Sequence, residues 1–296
     1  MRIPRTKSYR RAFVATQSGA IRRLLEKYFG QGRRRGSKLS PGAWCRLPYW
    51  RVLPAALRKC STVRTRRGVL RNKTLRELQW AQYCLFLFIR FQDDIFDGQS
   101  QDKVAVYAAD QCLFEADRIF AKHFAPQSWF WREYRECLRI TTQSIVEVDA
   151  LQRSPDTRPE ELLDGYARVS AVLKVGSAAV CAHYGNKRAY RRVSLFCDEM
   201  AKAGQIIDDL RDLEEDMSRK RYNYVANDLR RSEMEMPRRL RSNELMNRLR
   251  MLATMERIRE EVKTHVLKAG EIIAPLKIPE IPKYLSKYVE SVSANY

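Results

Sequence analysis

The chain has 296 residues, 45% hydrophobic and 31% charged, which is enough to bury a full core without disulfide staples or a structural metal. Its 12 Gly and 11 Pro, and an apolar run that extends only from Tyr83 to Ile89, exclude collagen, a fully disordered chain and a membrane span of roughly 20 apolar residues. The net charge of +21 is concentrated: residues 1–76 hold 22 of the 56 Lys and Arg but one of the 35 acids, so a basic leader (1–73) precedes a body (74–296) of nearly balanced charge.

In the leader, which reads as partly helical or flexible, Ile21, Leu24, Leu25 and Tyr28 recur at helical spacing beside Arg22, Arg23 and Lys27. This pattern allows a helix lying on a membrane surface, or an ordinary surface helix with solvated arginines. A basic leader suits an anionic membrane touched peripherally through residues 1–76, a nucleic acid, or an import machinery that reads Arg-rich, acid-poor segments. Aromatic residues interleave the basic run sparsely, which ranks nucleic acid below membrane contact. No apolar core precedes a small-residue cleavage site, so no secretory signal is expected. Seven cysteines without a C-x-x-C pair, several of them within apolar stretches, fit buried reduced thiols and a cytoplasmic chain. The three histidines stand in no metal-ligand spacing, so any metal is expected on oxygen ligands.

From Thr74 onward the pattern predicts helix after helix, over about 74–97, 102–123, 127–152, 159–184, 187–221, 243–270 and 280–293. The breaks fall at Gly98 with Ser100, Pro126, Pro155 with Pro159, Gly185 with Asn186, and Pro275 to Pro282. No segment alternates with period two and no repeat of fixed length occurs, so the expected fold is all-α, a single bundle rather than a solenoid. Trp129, Phe130, Trp131 and Tyr134 crowd one helix and read as packing, or as rings facing a ligand cavity.

Two acidic clusters end strongly apolar stretches: Asp93-Asp94-Ile95-Phe96-Asp97, and Asp208-Asp209-Leu210-Arg211-Asp212 continuing to Asp216. Both read D-D-x-x-D. On a helix Asp93 and Asp97 share a face, as do Asp208, Asp212 and Asp216. Such rows repel themselves by a few tenths of a kcal/mol per pair. They therefore call for a counter-charge, either a Lys or Arg or a hard divalent cation. Mg²⁺ favours a few carboxylates, retained waters and phosphate oxygens, and two Asp rows facing one another would supply that half-shell. A diphosphate held by several Mg²⁺ ions is a good leaving group, and an allylic hydrocarbon attached to it would ionise to a stabilised cation.

Residues on the same faces before each cluster, Phe86 and Ile89, then Cys197, Ala201 and Gly204, are apolar or small, as a cavity wall or plain core would be. Lys174 interrupts the apolar run Val169 to Val180 and calls for an anionic partner, either a ligand phosphate or an Asp of these clusters. Arg168 is a weaker candidate. Arg221 and Tyr222 follow the second cluster, beside Arg219 and Lys220, and could meet the same phosphate.

These residues resemble the class I isoprenoid synthases, which include trans-prenyl diphosphate synthases, class I terpene cyclases and squalene and phytoene synthases. DDIFD at 93–97 looks like the first Asp-rich motif of that superfamily and GQIIDDLRD at 204–212 like the second, with Gly204 in place of its usual Phe. Lys174 falls where prenyl synthases carry a phosphate-binding Lys, and the ending through Asp216 to Arg221-Tyr222 is closer to squalene/phytoene and terpene synthases. The match covers roughly 74–225. It lacks the Arg-Arg pair of elongation enzymes after the first motif, and only Gly36-Ser37-Lys38 faintly echoes their isopentenyl-diphosphate segment.

The resemblance implies an antiparallel helical bundle around a central cavity, with a homodimer compatible. It also implies several Mg²⁺ ions per site, held by Asp93, Asp94, Asp97, Asp208, Asp212 and Asp216. Lys174, Arg221 and Tyr222 would bind the diphosphate, and Asp93, Asp97, Asp208 and Asp212 would be catalytic. The implied reaction is ionisation of one allylic isoprenoid diphosphate in the manner of a terpene synthase. The alternatives are a chain-elongating prenyltransferase and, from another class, a non-catalytic basic helical protein at a membrane.

Overall fold

The structure is a computed structural model and describes residues 7–34, 49–64, 68–96, 102–234 and 244–295. The fold is all-α, with no strand among the described residues. In chain order the helices are α1 (Lys7–Ala15), α2 (Gly19–Arg34), α3 (Tyr49–Lys59), α4 (Asn72–Phe96), α5 (Val104–His123), α6 (Trp129–Arg153), α7 (Pro159–Val169), α8 (Val175–His183), α9 (Lys187–Arg211), α10 (Leu213–Ser218), α11 (Tyr224–Met234), α12 (Glu244–Ile273) and α13 (Glu280–Asn295). Two 3-10 turns, Ser170–Lys174 and Ala274–Leu276, follow α7 and α12. None of these helices, among the described residues, is long and apolar enough to cross a membrane.

Most of the predicted helices are found within a few residues of their expected limits. The span expected over 159–184 is interrupted by the first 3-10 turn, and the span over 187–221 is divided between α9 and α10. α11 was not expected at all. Its start is nonetheless written locally: Asn223 Oδ1 accepts the Ala226 N–H at 2.8 Å, an N-cap, and Val225, Ala226 and Leu229 form a buried stripe behind it.

The chain forms two compact units. Unit 1 comprises residues 1–137, 172–191 and 276–278, and unit 2 comprises 138–171, 192–275 and 279–296. In unit 1, α4 and α5 pack side by side because α5 presents Ala105, Ala108, Ala109, Cys112 and Ala116, all buried, to the larger side chains of α4. Trp80, fully buried on α4, donates from Nε1 to Glu115 at 3.3 Å, and Glu77 accepts from Lys122 at 2.8 Å. α2 packs on α5 with Leu25 wholly buried, so the apolar stripe of this leader helix meets protein at that point. Tyr28 has no described side chain. α3, also within the basic first quarter, buries Val52, Leu53, Ala56 and Leu57 and packs on α4 and α8.

The aromatic cluster of α6 is packing. Phe130 is fully buried, 4.2 Å from the Phe124 ring and 4.8 Å from Phe120, and Tyr134 donates its hydroxyl to Asp117. Cys60, Cys84, Cys112, Cys137, Cys181 and Cys197 are buried and outside any disulfide. Burial pushes the Cys112 thiol up to about 12, so it stays protonated and packs as a small apolar group. Cys45 lies outside the described residues.

In unit 2, α7 packs on α11, α11 on α12 and α12 on α13. Gly165 of α7 lies so close to α6 that an added Cβ would be 2.5 Å from Val148 Cγ2, so only glycine permits this approach. On α9, Glu199 is buried and accepts from His265 Nδ1 at 2.7 Å and Lys268 Nζ at 2.9 Å, tying α9 to α12.

Candidate active site

The second acidic cluster lies in unit 2, where α9 gives way to α10. Asp212, between the two helices, has φ −95 and ψ 5. The i,i+4 ladder nevertheless crosses the junction: the Asp212 N–H donates to the Asp208 carbonyl at 2.9 Å, and the Asp216 N–H to the Asp212 carbonyl at 2.8 Å. Asp208, Asp212 and Asp216 therefore remain about one helical turn apart along one line despite the break. Asp208 and Asp212 are exposed and Asp216 is half-buried.

Asp209, next in sequence, is turned the opposite way and is 2% exposed. It accepts from the Tyr166 hydroxyl at 2.6 Å, the Tyr224 N–H at 2.9 Å and Gln205 Nε2 at 3.1 Å. Burial pushes its carboxyl up to about 7, against the opposing pull of these three donors. It is thus an internal anchor joining α7, α9 and the start of α11, while its neighbour Asp208 faces solvent. Gly204, one turn before Asp208, has the Tyr288 hydroxyl of α13 3.7 Å from where its Cβ would be, and Ala201 and Cys197 are buried below it.

α10 ends in a tight reversal. The Lys220 N–H donates to the Met217 carbonyl at 3.1 Å and the Arg221 N–H to the Asp216 carbonyl at 2.8 Å, the double bond of a Schellman turn. α8 closes with the same pair of bonds, and there the left-handed residue is Gly185 (φ 70). In α10 the position is held by Lys220 (φ 56), where a side chain costs about 1 kcal/mol or more. Lys220→Gly is expected to raise stability by about 0.5–1 kcal/mol, read as a shifted urea midpoint with unchanged m. No gain would mean that the Lys220 side chain compensates for the strain.

The reversal carries Arg221 back to α6, where its Nη2 donates to Asp149 Oδ1 at 2.8 Å while Arg153 Nε holds Oδ2 at 2.9 Å. Burial would raise the Asp149 carboxyl, but the two guanidiniums outweigh it and keep it below the ordinary carboxylate range. The Tyr222 N–H donates to the Gln152 carbonyl at 2.6 Å, and the Arg230 guanidinium sits 5.8 Å from the Tyr222 ring centre. Arg219 pairs with Glu215 at 2.8 Å on the surface.

The first cluster lies at the end of α4 in unit 1. Arg90, a turn earlier, meets Asp93 at 3.2 Å and Asp94 at 2.7 Å. Asp97, and with it the expected pairing of Asp93 and Asp97 on one face, lies outside the described residues. Before the cluster, Phe86 is half-buried and stacks on Trp50 at 5.1 Å, and Ile89 is half-buried. Lys174, half-buried, ends the 3-10 turn before α8. That turn is pinned to α4 by Gln82, which donates to the Val172 carbonyl at 3.2 Å and accepts the Gly176 N–H at 2.5 Å. Arg168 pairs loosely with Glu147 at 3.6 Å.

In unit 2 the structure thus gathers Asp208, Asp212, Asp216, Arg221 and Tyr222 at one corner, while Asp93, Asp94 and Lys174 lie in unit 1. Sequence reasoning missed Asp149, Tyr166 and Asn223. Asp149 and Tyr166 meet their partners only through folding; Asn223 was visible as a helix cap. The expected counter-charge is present locally, with Arg211 2.9 Å from Asp208 as Arg90 is to the first cluster. The Arg211–Asp208 pair is more than half exposed on both sides, and such pairs contribute about 0–1 kcal/mol, too little to hold the row closed against a divalent ion.

Among the described residues no three His, Cys, Asp or Glu side chains converge into a metal cage. Mg²⁺ does not require such a cage, because that ion takes one or two carboxylates and fills its shell with water and phosphate oxygens. No family model matches the chain, and no curated protein matches it.

Proposed function

We propose that the chain is a Mg²⁺-dependent enzyme of the class I isoprenoid synthase kind, which ionises an allylic isoprenoid diphosphate and releases diphosphate as terpene synthases do. What carries the reading is the open Asp208–Asp212–Asp216 line kept in register across a helix break, with Arg221 delivered beside it by a strained turn. Acids at one-turn spacing repel one another by a few tenths of a kcal/mol per pair, and a bound divalent cation would relieve that repulsion more fully than the exposed Arg211–Asp208 pair does. Asp208, Asp212 and Asp216 would hold Mg²⁺ in unit 2, and Asp93, Asp94 and Asp97 of the first motif would hold Mg²⁺ on their own. The metal supplies neutralisation of the charge that develops on the departing diphosphate.

The chain's own groups have separable tasks in this reading. In unit 2 the carboxylates hold the ions, Arg221 adds donors to phosphate oxygens, and Tyr222 flanks Arg221 with a phenol. Asp149, itself fixed by Arg153, holds the Arg221 guanidinium at the edge of α6, so that it meets the ligand preorganised.

Purified protein is incubated with Mg²⁺ and allylic diphosphates of C10, C15 and C20 length, with and without isopentenyl diphosphate. Mg²⁺-dependent release of diphosphate with hydrocarbon or alcohol products is expected. Longer diphosphates formed only with isopentenyl diphosphate would make the chain an elongating prenyltransferase. No release under any condition would leave the non-catalytic basic protein.

A further inference from the structure

At one corner of unit 1, four stretches distant in the chain meet: 58–64 from the end of α3, 68–76 leading into α4, 184–191 leading into α9, and 276–278. Hydrogen bonds fix the meeting. The Tyr184 hydroxyl donates to the Arg58 carbonyl at 3.2 Å and accepts the Leu70 N–H at 3.0 Å, and Asn186 Nδ2 donates to the Val63 carbonyl at 3.1 Å. Cys60 Sγ donates to the Leu276 carbonyl at 2.8 Å, which brings Lys277 alongside.

The charge of this corner is one-sided, because the four stretches together hold ten Lys and Arg and no Asp or Glu. Arg71, Lys73, Arg188 and Lys277 are exposed. The next acid in the chain, Glu77, is buried and taken up by Lys122 and His123, while Glu133 of α6 reaches Lys187 at 3.9 Å. One apolar side chain stands out among these charges. Arg58 Nε donates to the Leu70 carbonyl at 2.6 Å and Leu70 is buried, which leaves Val69 turned outward and 50% exposed.

We infer that this corner is the surface by which the chain rests on an anionic membrane, with Val69 entering the headgroup layer and the surrounding Lys and Arg meeting lipid phosphates and carboxylates. It is independent of the acid row and of the proposed reaction. Charge complementarity carries it: each Lys or Arg close to an anionic bilayer adds about fivefold to partitioning, and here ten gather without one acid among them. A bilayer also has an apolar layer to receive Val69. A nucleic acid has none, and the aromatic residues at hand, Tyr184 and Tyr190, are buried and offer no ring for bases to stack on. The leader helix α2 is a poorer lipid face, since its Leu25 is buried against α5.

Full-length protein is sedimented with phosphatidylcholine vesicles, with and without about 30% phosphatidylserine, in about 0.15 M salt. Two double variants make the same change of charge: Arg71→Glu with Lys73→Glu inside the corner, and Arg11→Glu with Arg23→Glu, exposed on α1 and α2, outside it. Lys277→Glu probes the residue that only folding brings there. Circular dichroism follows helix content, and single-stranded and duplex oligonucleotides are run in parallel.

Binding to the phosphatidylserine vesicles is expected, weakening as salt rises, with none to phosphatidylcholine alone. Arg71→Glu with Lys73→Glu should lower it at least tenfold and Lys277→Glu about fivefold, whereas Arg11→Glu with Arg23→Glu changes it less than about twofold. Equal losses in the two double variants would mean that net charge alone binds, and would overturn the corner. No binding to phosphatidylserine vesicles, or oligonucleotide binding in its place, would overturn the membrane as partner. Should the corner double variant lose helix content, Lys277→Glu decides alone, and wild-type binding by it overturns the inference. None of these outcomes bears on diphosphate release.

Discussion

Asp212→Asn is expected to lower Mg²⁺-dependent diphosphate release by about 10²–10³-fold while leaving the melting temperature unchanged or slightly raised. The two effects have opposite signs for one reason. Asp212 is exposed, and it stands between Asp208 and Asp216 at one-turn spacing, where like charges cost a few tenths of a kcal/mol per pair. Removing the middle charge relieves both repulsions. In the working enzyme the same charge would face a divalent ion and a diphosphate, where losing a preorganised ligand costs several kcal/mol of transition-state stabilisation. Glu214→Gln removes an exposed acid of α10 that lies off the line, and is expected to leave the rate within twofold of wild type. Wild-type turnover by Asp212→Asn would remove the acid row from the chemistry and the proposed function with it.

Glu199→Gln is expected to cost about 2–3 kcal/mol of unfolding free energy at pH 7. The carboxylate is buried on α9 and is the shared acceptor for His265 and Lys268 of α12, and Glu261 stands 3.2 Å from the other ring nitrogen of His265. A glutamine cannot offer two anionic oxygens, so a buried donor is left poorly matched. Burial would raise the Glu199 carboxyl, but the bonds from His265 and Lys268 outweigh it and hold it below its ordinary value of 4.5.

A carboxylate depressed in the folded state contributes stability above its unfolded pKa, and that contribution is lost as pH falls through the folded value. The gap between wild type and Glu199→Gln should therefore be widest at pH 6–8 and close as pH drops below about 4. Urea midpoints measured at pH 7 and pH 3.5 decide the matter. A gap that stays constant between the two would mean that the side chain acts through shape rather than charge.

Neither effect could have been assigned from the sequence in the same way. The Asp208–Asp212–Asp216 row was legible, since helical spacing alone aligns residues four apart, and it survived a helix break that spacing did not foretell because two i,i+4 backbone bonds bridge it. The break itself, the 3-10 turn ending at Lys174 and the left-handed Lys220 depend on what the chain packs against. α11 was overlooked although its cap and apolar stripe are local, because its short stretch of Val225, Ala226 and Leu229 sits among charged residues.

Most helices of the body were determined by the sequence alone, because periodicity and capping act over a few residues. So was the alignment of the second acid row. Which member of the Asp208–Asp209 doublet faces solvent, and which is drawn inward onto Tyr166, was decided by tertiary structure, as were the pairing of Arg221 with Asp149 and the gripping of Asp216 by Asn223. Burial and hydrogen-bond partnership arise from contacts between residues distant in the chain, 72 positions in the case of Arg221 and Asp149, and no local spacing encodes them.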